Sequence, residues 1–517
     1  MRLGLEVRLD HDGPGAAITL DPGSQQARRP THHGGGPDDH EHDRGEDEGA
    51  DPPVHLAAER IGRVLVPLDH ELGPAGLLKM EMLAVAFDDV GESLEQVDDL
   101  SVVDGDRGLA QCLTPAIFDL HPASIAFLTR LSILPHMPAG LALLDDDQRA
   151  LIQLVREFAA QDARPAAAAY EARDEDPVPL YRQLAELGLT GIPFPEEHGG
   201  GGQNYLTYLV MLEELAAAYL ALAVGLSVHT LCAFAVNAFG SPRQRDEVLT
   251  RLASGEWFGA YSLSEPAAGS DAGALATKAV RSGSDYLLEG SKVFCTRGAE
   301  ADVVLVMART GEGGARGISA FLVDRDTEGF AAGAKEDKMG WRSSPTWQLV
   351  FDGARVPESR RLGAEGAGFK VALAALDSGR LGIAACAVGL AQAALDAALD
   401  YTGEREQFGR PVAHNQGISF MLADMATQIE AGRALYRRAA SLRDAGHDYS
   451  LEAAQAKLFC TDAAMRVTTD AVQLHGGYGY ITEYPVERYM REAKGLQIVE
   501  GTNQIQRLVI GRKLTGG

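Results

Sequence analysis

Three stretches of the 517-residue sequence combine side chains able to do chemistry with glycines that let the backbone approach a ligand closely. The first is QLHGGYGYITEYPVERYMREAKGLQIVEGT, residues 473–502, which ends on a carboxylate, Glu500, between an apolar run (Leu496, Ile498, Val499) and a Gly501–Thr502 pair that opens a helical pattern. An acid in apolar surroundings holds its proton more tightly and is a stronger base once water is excluded. Taken alone, the same acid reads rather as a helix-start residue, with Thr502 as cap and the helix dipole favouring its charge. The second stretch, GEREQFGRPVAHNQ (403–416), offers Arg405, Gln407, Phe408 and Gln416 in a tight turn between helical patterns. A guanidinium is the planar fork that a pyrophosphate needs, although a solvated interhelical loop would read the same way. The third, AYSLSEPAAGSDAGA (260–274), is a Ser-, Gly- and Pro-rich loop suited to presenting amides and hydroxyls to phosphate or a flat heterocycle; by itself it is also an ordinary turn-rich connection.

The elements that must position these stretches run helices, strands, helices. DDDQRALIQLVREFAAQDARP (145–165) has acids at its start and a proline stop, with Leu151, Leu154, Val155 and Phe158 on one apolar face. PLYRQLAELG is a second helical pattern, and residues 204–231 form a third, apolar all round, as expected of a helix buried between others. Near Gly259 the period switches to two, and YLLEGSKVFCT, ADVVLVMART, ISAFLVDRD and WQLVFDGARVP read as strands of one sheet. After LGAEGAGFK helices return; Leu422, Met425, Ile429, Gly432 and Tyr436 step by three and four, predicting a bundle helix with a small residue at a close crossing.

Composition narrows the function classes. A hydrophobic content of 45% and a length that allows two to four domains describe a globular chain, and no apolar run approaches the roughly 18 to 20 residues of a membrane span. Met1 is not followed by a secretory leader pattern, and the five cysteines, Cys112, Cys232, Cys295, Cys386 and Cys460, are widely spaced without CxxC pairs; a reducing cytoplasm is expected, with no disulfides and no metal site. A formal net charge of −26 disfavours nucleic acid. The front of the chain is different in kind: residues 1–136 hold 25 acids, 10 bases and nine of the 14 histidines. Its THHGGGPDDHEHDRGEDEGAD run lacks the ligand spacing of a tetrahedral metal site and reads as a solvated tail. This extension is expected to be disordered or foreign to the native protein, with Met137 as the true start.

Together SEPAAGSD, KVFCT, EREQFGRPV with the following NQ, QLHGGYGY and VEGTNQIQRL resemble the acyl-CoA dehydrogenase family of flavoproteins, in the family's order and over residues 137–517. The resemblance implies an α+β architecture: an N-terminal helical domain (137–258), a middle β-domain (259–366) and a C-terminal four-helix bundle (367–517), with FAD where they meet. It implies flavin contacts from Tyr261, Leu263, Ser264, Gly269, Ser270, Phe294 and Thr296. Arg405, Gln407, Phe408, Gln416, Gln473, Gly476 and Gly477 resemble contacts that cross a subunit interface in a homotetramer, a dimer of dimers, and Thr502 and Gln504 look like further FAD contacts. Ser270, Asp377, Arg380 and Gly501 resemble substrate-side residues, and Glu500 the base that removes the α-proton of an acyl-CoA thioester as the β-hydrogen passes to flavin N5. Electrons would go to an electron-transferring flavoprotein. The sequence departs from the family at Ala268, where Gly is commoner, and at Phe294, where a tryptophan shields the flavin edge. Gly379 stands where isovaleryl-type enzymes carry their base, which favours Glu500. The textures LGAEGAGFK, LDSGRLGIA and HGGYGY resemble short-chain and short-branched-chain members, implying fatty acid β-oxidation or branched-chain amino acid catabolism. Two rivals remain: an acyl-CoA oxidase that reduces oxygen, and a non-catalytic acyl-CoA-binding scaffold.

Overall fold

The protein is described here by a computed structural model that covers residues 144–516 apart from Gly313; the expectations for residues 1–136 lie outside the described residues. The first helix, α1 (Asp146–Phe158), is opened by a capping box in which Asp145 accepts from the Gln148 amide at 2.9 Å and the Gln148 side chain accepts from the Asp145 amide at 3.1 Å. Its buried apolar stripe is Ile152, Val155 and Phe158, while Leu154, expected on that face, is 38% exposed. The expected proline stop does not end the helix. A widened π turn, Ala159–Ala163, carries the chain into α2 (Arg164–Arg173), where Pro165 occupies a first-turn position that does not use its missing N–H.

After α3 (Val178–Glu186), the apolar run expected as one helix is two, α4 (Tyr205–Ala218) and α5 (Leu220–Phe239), separated by Tyr219 in an extended conformation (φ −154°, ψ 92°). No glycine or proline marks this break. It is set by packing: α4 and α5 both lie against the long helix α6 (Gly368–Glu404), and α5 also reaches the first strand of the sheet.

The strands are β1 (Gly259–Ser262), β2 (Lys278–Ser282), β3 (Asp285–Thr296), β4 (Val303–Arg309), β5 (Ile318–Asp324), β6 (Phe330–Lys335), β7 (Thr346–Pro357) and β8 (Arg361–Leu362). They form one sheet in the order β6-β7-β3-β2-β4-β5-β8, with β1 pairing parallel to β4. The four expected strands are β3, β4, β5 and β7. Four were not expected: β1, which runs into the stretch read as a loop, and β8 are only four and two residues long, and β2 and β6 are short and mostly exposed, so none carries a clear alternation. β4 is covered on both faces: Val303, Leu305 and Met307 join one core and Val304, Val306 and Ala308 another.

The rest is a helical bundle: α6, α7 (Gln416–Asp444), α8 (Ser450–His475), α9 (Val486–Leu496) and α10 (Asn503–Thr515). In α7 all five expected core positions are buried, and a Cβ at Gly432 would lie 3.2 Å from both Cys460 Sγ and Val388 Cγ2, which is why a small residue stands at this crossing. Contrary to the sequence expectation, α5 and α6 are each long and apolar enough to cross a membrane, but 89% and 83% of their apolar windows are buried inside the fold. Cys232, Cys295, Cys386 and Cys460 are free thiols in the interior.

Candidate active site

Glu500 lies in the short connection between α9 and α10. Ile498 and Val499 donate back to the Gly495 carbonyl at 2.9 and 3.1 Å, finishing α9, and Thr502 Oγ1 caps α10 by accepting from Ile505 N at 3.3 Å. The two residues between are both left-handed, Glu500 at φ 55° and Gly501 at φ 85°. That conformation is unfavourable for a glutamate and tends to persist only where the surroundings enforce it. They do so here: Gln506 Nε2 donates to Glu500 O at 3.1 Å and to Gly501 O at 2.8 Å, and Lys457 Nζ donates to Gly501 O at 3.0 Å.

This turn aims the Glu500 side chain at α6. Oε2 is shielded from solvent and has no hydrogen-bond partner among the described residues. A Cβ on Gly379 would be 2.9 Å from Oε2 and 2.7 Å from Leu231 Cδ2, so only glycine leaves the carboxylate its place. Burial pushes the acid up to about 7, and the positive charges of Arg380 and Lys457 hold it from rising further. Arg380, 4% exposed, is paired with Asp377, which also accepts from Ser450 Oγ at 3.4 Å. Tyr205, a buried phenol whose hydroxyl donates to the Ser378 carbonyl at 2.9 Å, and the half-buried Tyr261, whose hydroxyl donates to Ala372 O at 3.4 Å, are within electrostatic reach of Glu500. The structure thus brings Asp377, Arg380, Gly501, Tyr261 and Glu500 to one place.

A second group adjoins it on the sheet. Ser264 is tied to β3 by Val293 N donating to its carbonyl at 2.9 Å, and β3 bulges between Lys292 and Cys295 so that Phe294 turns left-handed (φ 57°) with its ring 67% exposed. Thr296 follows, half-buried. Leu263 packs its side chain into the core, so any ligand contact it makes runs through its backbone. Gly269 and Ser270 are exposed, with open space around Gly269.

A third group stands apart. Arg405 and Gln473, Gly476 and Gly477 line one cleft of about 430 Å³ together with Tyr401 and Tyr478, at the ends of α6 and α8. His475 stacks on Tyr401 at 4.4 Å. Next to this cleft, Gln407 and Phe408 sit on a two-stranded hairpin, Glu406–Gln407 with Arg410–Pro411, whose tip residue Phe408 is left-handed and 98% exposed. Gln416 and Gln504 are exposed and Thr502 is half-buried. Glu500 does not line this cleft.

Two buried lysines escaped the sequence reading. Lys292 donates to Leu263 O at 3.1 Å and to Glu265 Oε1 at 2.8 Å, while Glu265 accepts the amides of Ala276 and Thr277, so one ion pair shapes the whole 263–277 loop. Lys457 does the corresponding job under Gly501. Its signal was a lone cation in the alanine-rich run LEAAQAKLFCTDAAM, where a lysine has no solvent-facing excuse.

Known families match this chain in three consecutive parts: the acyl-CoA dehydrogenase N-terminal domain at residues 145–256, the middle domain at 260–354 and the C-terminal domain at 366–515. The chain belongs to the acyl-CoA dehydrogenase family. It is therefore an oxidoreductase with the family's helical, β and helical architecture, and the family's members are flavoproteins. It is 48% identical over 373 residues to an acyl-CoA dehydrogenase of Bacillus subtilis and 45% identical over the same length to a short-chain-specific acyl-CoA dehydrogenase of Clostridium acetobutylicum, in each case covering 72% of this chain and 98% of the relative. Butyryl-CoA dehydrogenase from Megasphaera elsdenii superposes with a TM-score of 0.71 at 43% identity, over 72% of this chain and 99% of that one. A chain in a structure titled for the electron transferring flavoprotein of Acidaminococcus fermentans gives the same TM-score at 46% identity, over 72% and 98%.

Proposed function

We propose that this dehydrogenase takes short or short-branched acyl-CoA thioesters to trans-2-enoyl-CoA, with Glu500 as the base that removes the α-proton. The observation that carries the reading is Glu500 Oε2: a carboxylate oxygen out of water, without a hydrogen-bond partner among the described residues, held beside Gly379 by a strained turn. An unpaired carboxylate oxygen shielded from water is costly, and a proton affinity raised to about 7 is what a general base at neutral pH requires. The Glu500 N–H donates to no acceptor among the described residues, which leaves it free to stabilise the charge that develops on a thioester oxygen. Arg380, Asp377 and Gly501 stand on the substrate side, and a Cβ at Gly501 would lie 2.9 Å from Gln506 Nε2, so the glycine leaves room for the amide that holds the turn.

The residues suit FAD. Ser264 and Thr296 offer hydroxyls, Phe294 offers an exposed ring on a bulge, and the glycines at 269, 476 and 477 leave room for a close approach. FAD, when bound, supplies the hydride acceptor at its flavin N5. The chain's part is to hold the α-carbon against Oε2, to keep water away from the carboxylate, and to take one proton onto it.

The reading extends to a homotetramer, a dimer of dimers, in which Arg405, Gln407, Phe408, Gln416 and Gln473–Gly477 complete the FAD site of a neighbour. Their separation from Glu500 and the exposed Phe408 support it. It also includes the domain limits 137–258, 259–366 and 367–517, a cytoplasmic location in keeping with buried free thiols, and an electron-transferring flavoprotein as acceptor. Anaerobic bleaching of the bound flavin by an acyl-CoA series tests the substrate. The expected result is fastest bleaching with butyryl- or isobutyryl-CoA and slow reoxidation in air. Failure of every acyl-CoA to bleach the flavin overturns the reading, and fast reoxidation with peroxide would make the protein an oxidase.

A further inference from the structure

We propose that Lys457, on α8, is a positioning residue for the reaction: its buried ammonium clamps the turn that carries Glu500 and supplies the positive charge against which the carboxylate is poised. The inference rests on the reading of Glu500 as the base.

The geometry is a chain of contacts that begins under the base and ends on the bundle. Lys457 Nζ donates to Gly501 O at 3.0 Å and to Asn503 Oδ1 at 2.8 Å. Asn503 Nδ2 in turn donates to Thr461 Oγ1 at 2.9 Å and to Asp462 Oδ1 at 2.7 Å, and Gln497 Nε2 donates to the same Asp462 oxygen at 2.7 Å. Lys457, Thr461 and Asp462 thus occupy one face of α8 and grip the connection on both sides of Glu500, at Gln497 before it and at Gly501 and Asn503 after it. Lys457 is wholly buried, with a side-chain exposure that rounds to zero. A lysine is rarely hidden so completely, and holding two neutral acceptors does not by itself call for a charge. An amide or a hydroxyl would serve. A cation is called for by an anion, and among the described residues of this region the carboxylate with a shielded oxygen lacking a hydrogen-bond partner is Glu500.

The charged groups around the pair are few. Glu500 faces Arg380 from α6 and Lys457 from α8, with the phenols of Tyr205 on α4 and Tyr261 on β1 also within electrostatic reach. Lys457 faces Glu500, Arg380 and Asp462. Burial pulls the lysine down and the glutamate up, each opposed by the charge of the other. Arg380 is already engaged with Asp377, so its charge is partly answered. Lys457 has no carboxylate in hydrogen-bond contact among the described residues, which leaves its charge available to Glu500. Removing that charge would raise the proton affinity of Glu500, and removing the clamp would loosen a turn whose left-handed backbone has to be enforced.

The test compares Lys457→Met, which removes clamp and charge, with Lys457→Gln, which keeps a donor and removes only the charge, both in the FAD-loaded enzyme with butyryl-CoA. The measurement is the anaerobic bleaching rate as a function of pH, with FAD content and acyl-CoA affinity read alongside. Both variants are expected to retain FAD and to bind acyl-CoA within about threefold of the parent. Their acid limb should move up by about one pH unit, and Lys457→Met should be slower by at least about tenfold at neutral pH. An unmoved limb in Lys457→Gln overturns the electrostatic half, and a Lys457→Met rate within threefold of the parent overturns the clamp. Should Lys457→Met not fold, Asn503→Ala, which takes away one acceptor and leaves the lysine, is expected to bleach more slowly with FAD retained; failure of both to fold overturns the proposal in favour of plain structural glue. An unmodified enzyme that no acyl-CoA bleaches would sink the parent reading itself, a result distinct from any of these.

Discussion

The α-carbon of Gly379 faces the carboxylate of Glu500 so closely that a single methyl group on it would lie 2.9 Å from Oε2 and 3.0 Å from Cδ. Two residues far apart in sequence therefore compete for one volume, and a glycine in the middle of a long buried helix, which costs about 1 kcal/mol against alanine in helix propensity, is explained by what it leaves empty. The atoms that a new methyl would meet are the ends of two flexible side chains, Glu500 and Leu231, not backbone.

Gly379→Ala should for that reason fold normally and keep its FAD, because Leu231 and Glu500 can each swing aside. The carboxylate would then be displaced from its working position. A misplacement of about 1 Å in a catalytic group costs on the order of 10²-fold, so flavin bleaching by butyryl-CoA should slow by at least about tenfold with acyl-CoA affinity little changed. Bleaching at the parent rate would show that Oε2 is not where the proton goes.

Glu500→Gln separates chemistry from stability. The amide keeps the size and removes the basic oxygen, so the protein should stay yellow, bind acyl-CoA and bleach slower by about 10² to 10⁴. Its stability should move the other way. The folded carboxylate titrates at about 7 against 4.5 when free, so below pH 4.5 it is protonated in both states and costs nothing. As pH rises from 4.5 through 7 the unfolded chain ionises first, and folding loses about 1 to 3 kcal/mol that the glutamine does not lose. Thermal unfolding should therefore place Glu500→Gln above the parent at pH 8 and level with it near pH 4.5. A variant less stable than the parent at pH 8 would return Glu500 to the role of a helix-start acid.

How much of this was legible beforehand depended on whether the signal was local. The four long strands and the α7 core stripe follow from spacing and residue type, and so they were found; of the α1 start the acids were read but not the Asp145–Gln148 capping box. The break at Tyr219 was not, since it is imposed by helices packing around α6 and leaves no glycine or proline in AAAYLA. Pro165 misled in the opposite sense, because a π turn absorbed it. In the site, Glu500 taken alone read as a helix-start acid, and only the family resemblance singled it out and set Gly379 beside it; the close contact with Gly379 and the clamp from Lys457 could not be read, because these stand 121 and 43 positions away and only the folded bundle brings them together.

The front of the chain offers a further check. The family matches begin at residue 145, and relatives covered over 98% of their length pair with 72% of this chain. A chain beginning at Met137 is expected to fold, bind FAD and bleach with butyryl-CoA as the full chain does. Loss of flavin binding in the shortened protein would make residues 1–136 a working domain.

Phe408 gives the last prediction. It sits at the tip of the Glu406–Pro411 hairpin in a left-handed conformation, 98% exposed, next to Arg405 and the cleft lined by Gln473, Gly476 and Gly477. A large aromatic side chain held out by a rigid turn contributes nothing to the chain that carries it, and burying it against a neighbour would gain about 2 kcal/mol. Phe408→Ala should therefore leave the thermal unfolding of an isolated chain unchanged while weakening assembly, and Arg405→Ala should release FAD more readily without altering Glu500. Sedimentation across a dilution series, with flavin absorbance recorded on each species, reads both effects. The expected pattern is that smaller species appear at higher concentration in Phe408→Ala and that those species have lost flavin. A monomer carrying a full complement of FAD would mean that each chain completes its own site, and that the cleft beside Arg405 serves something else.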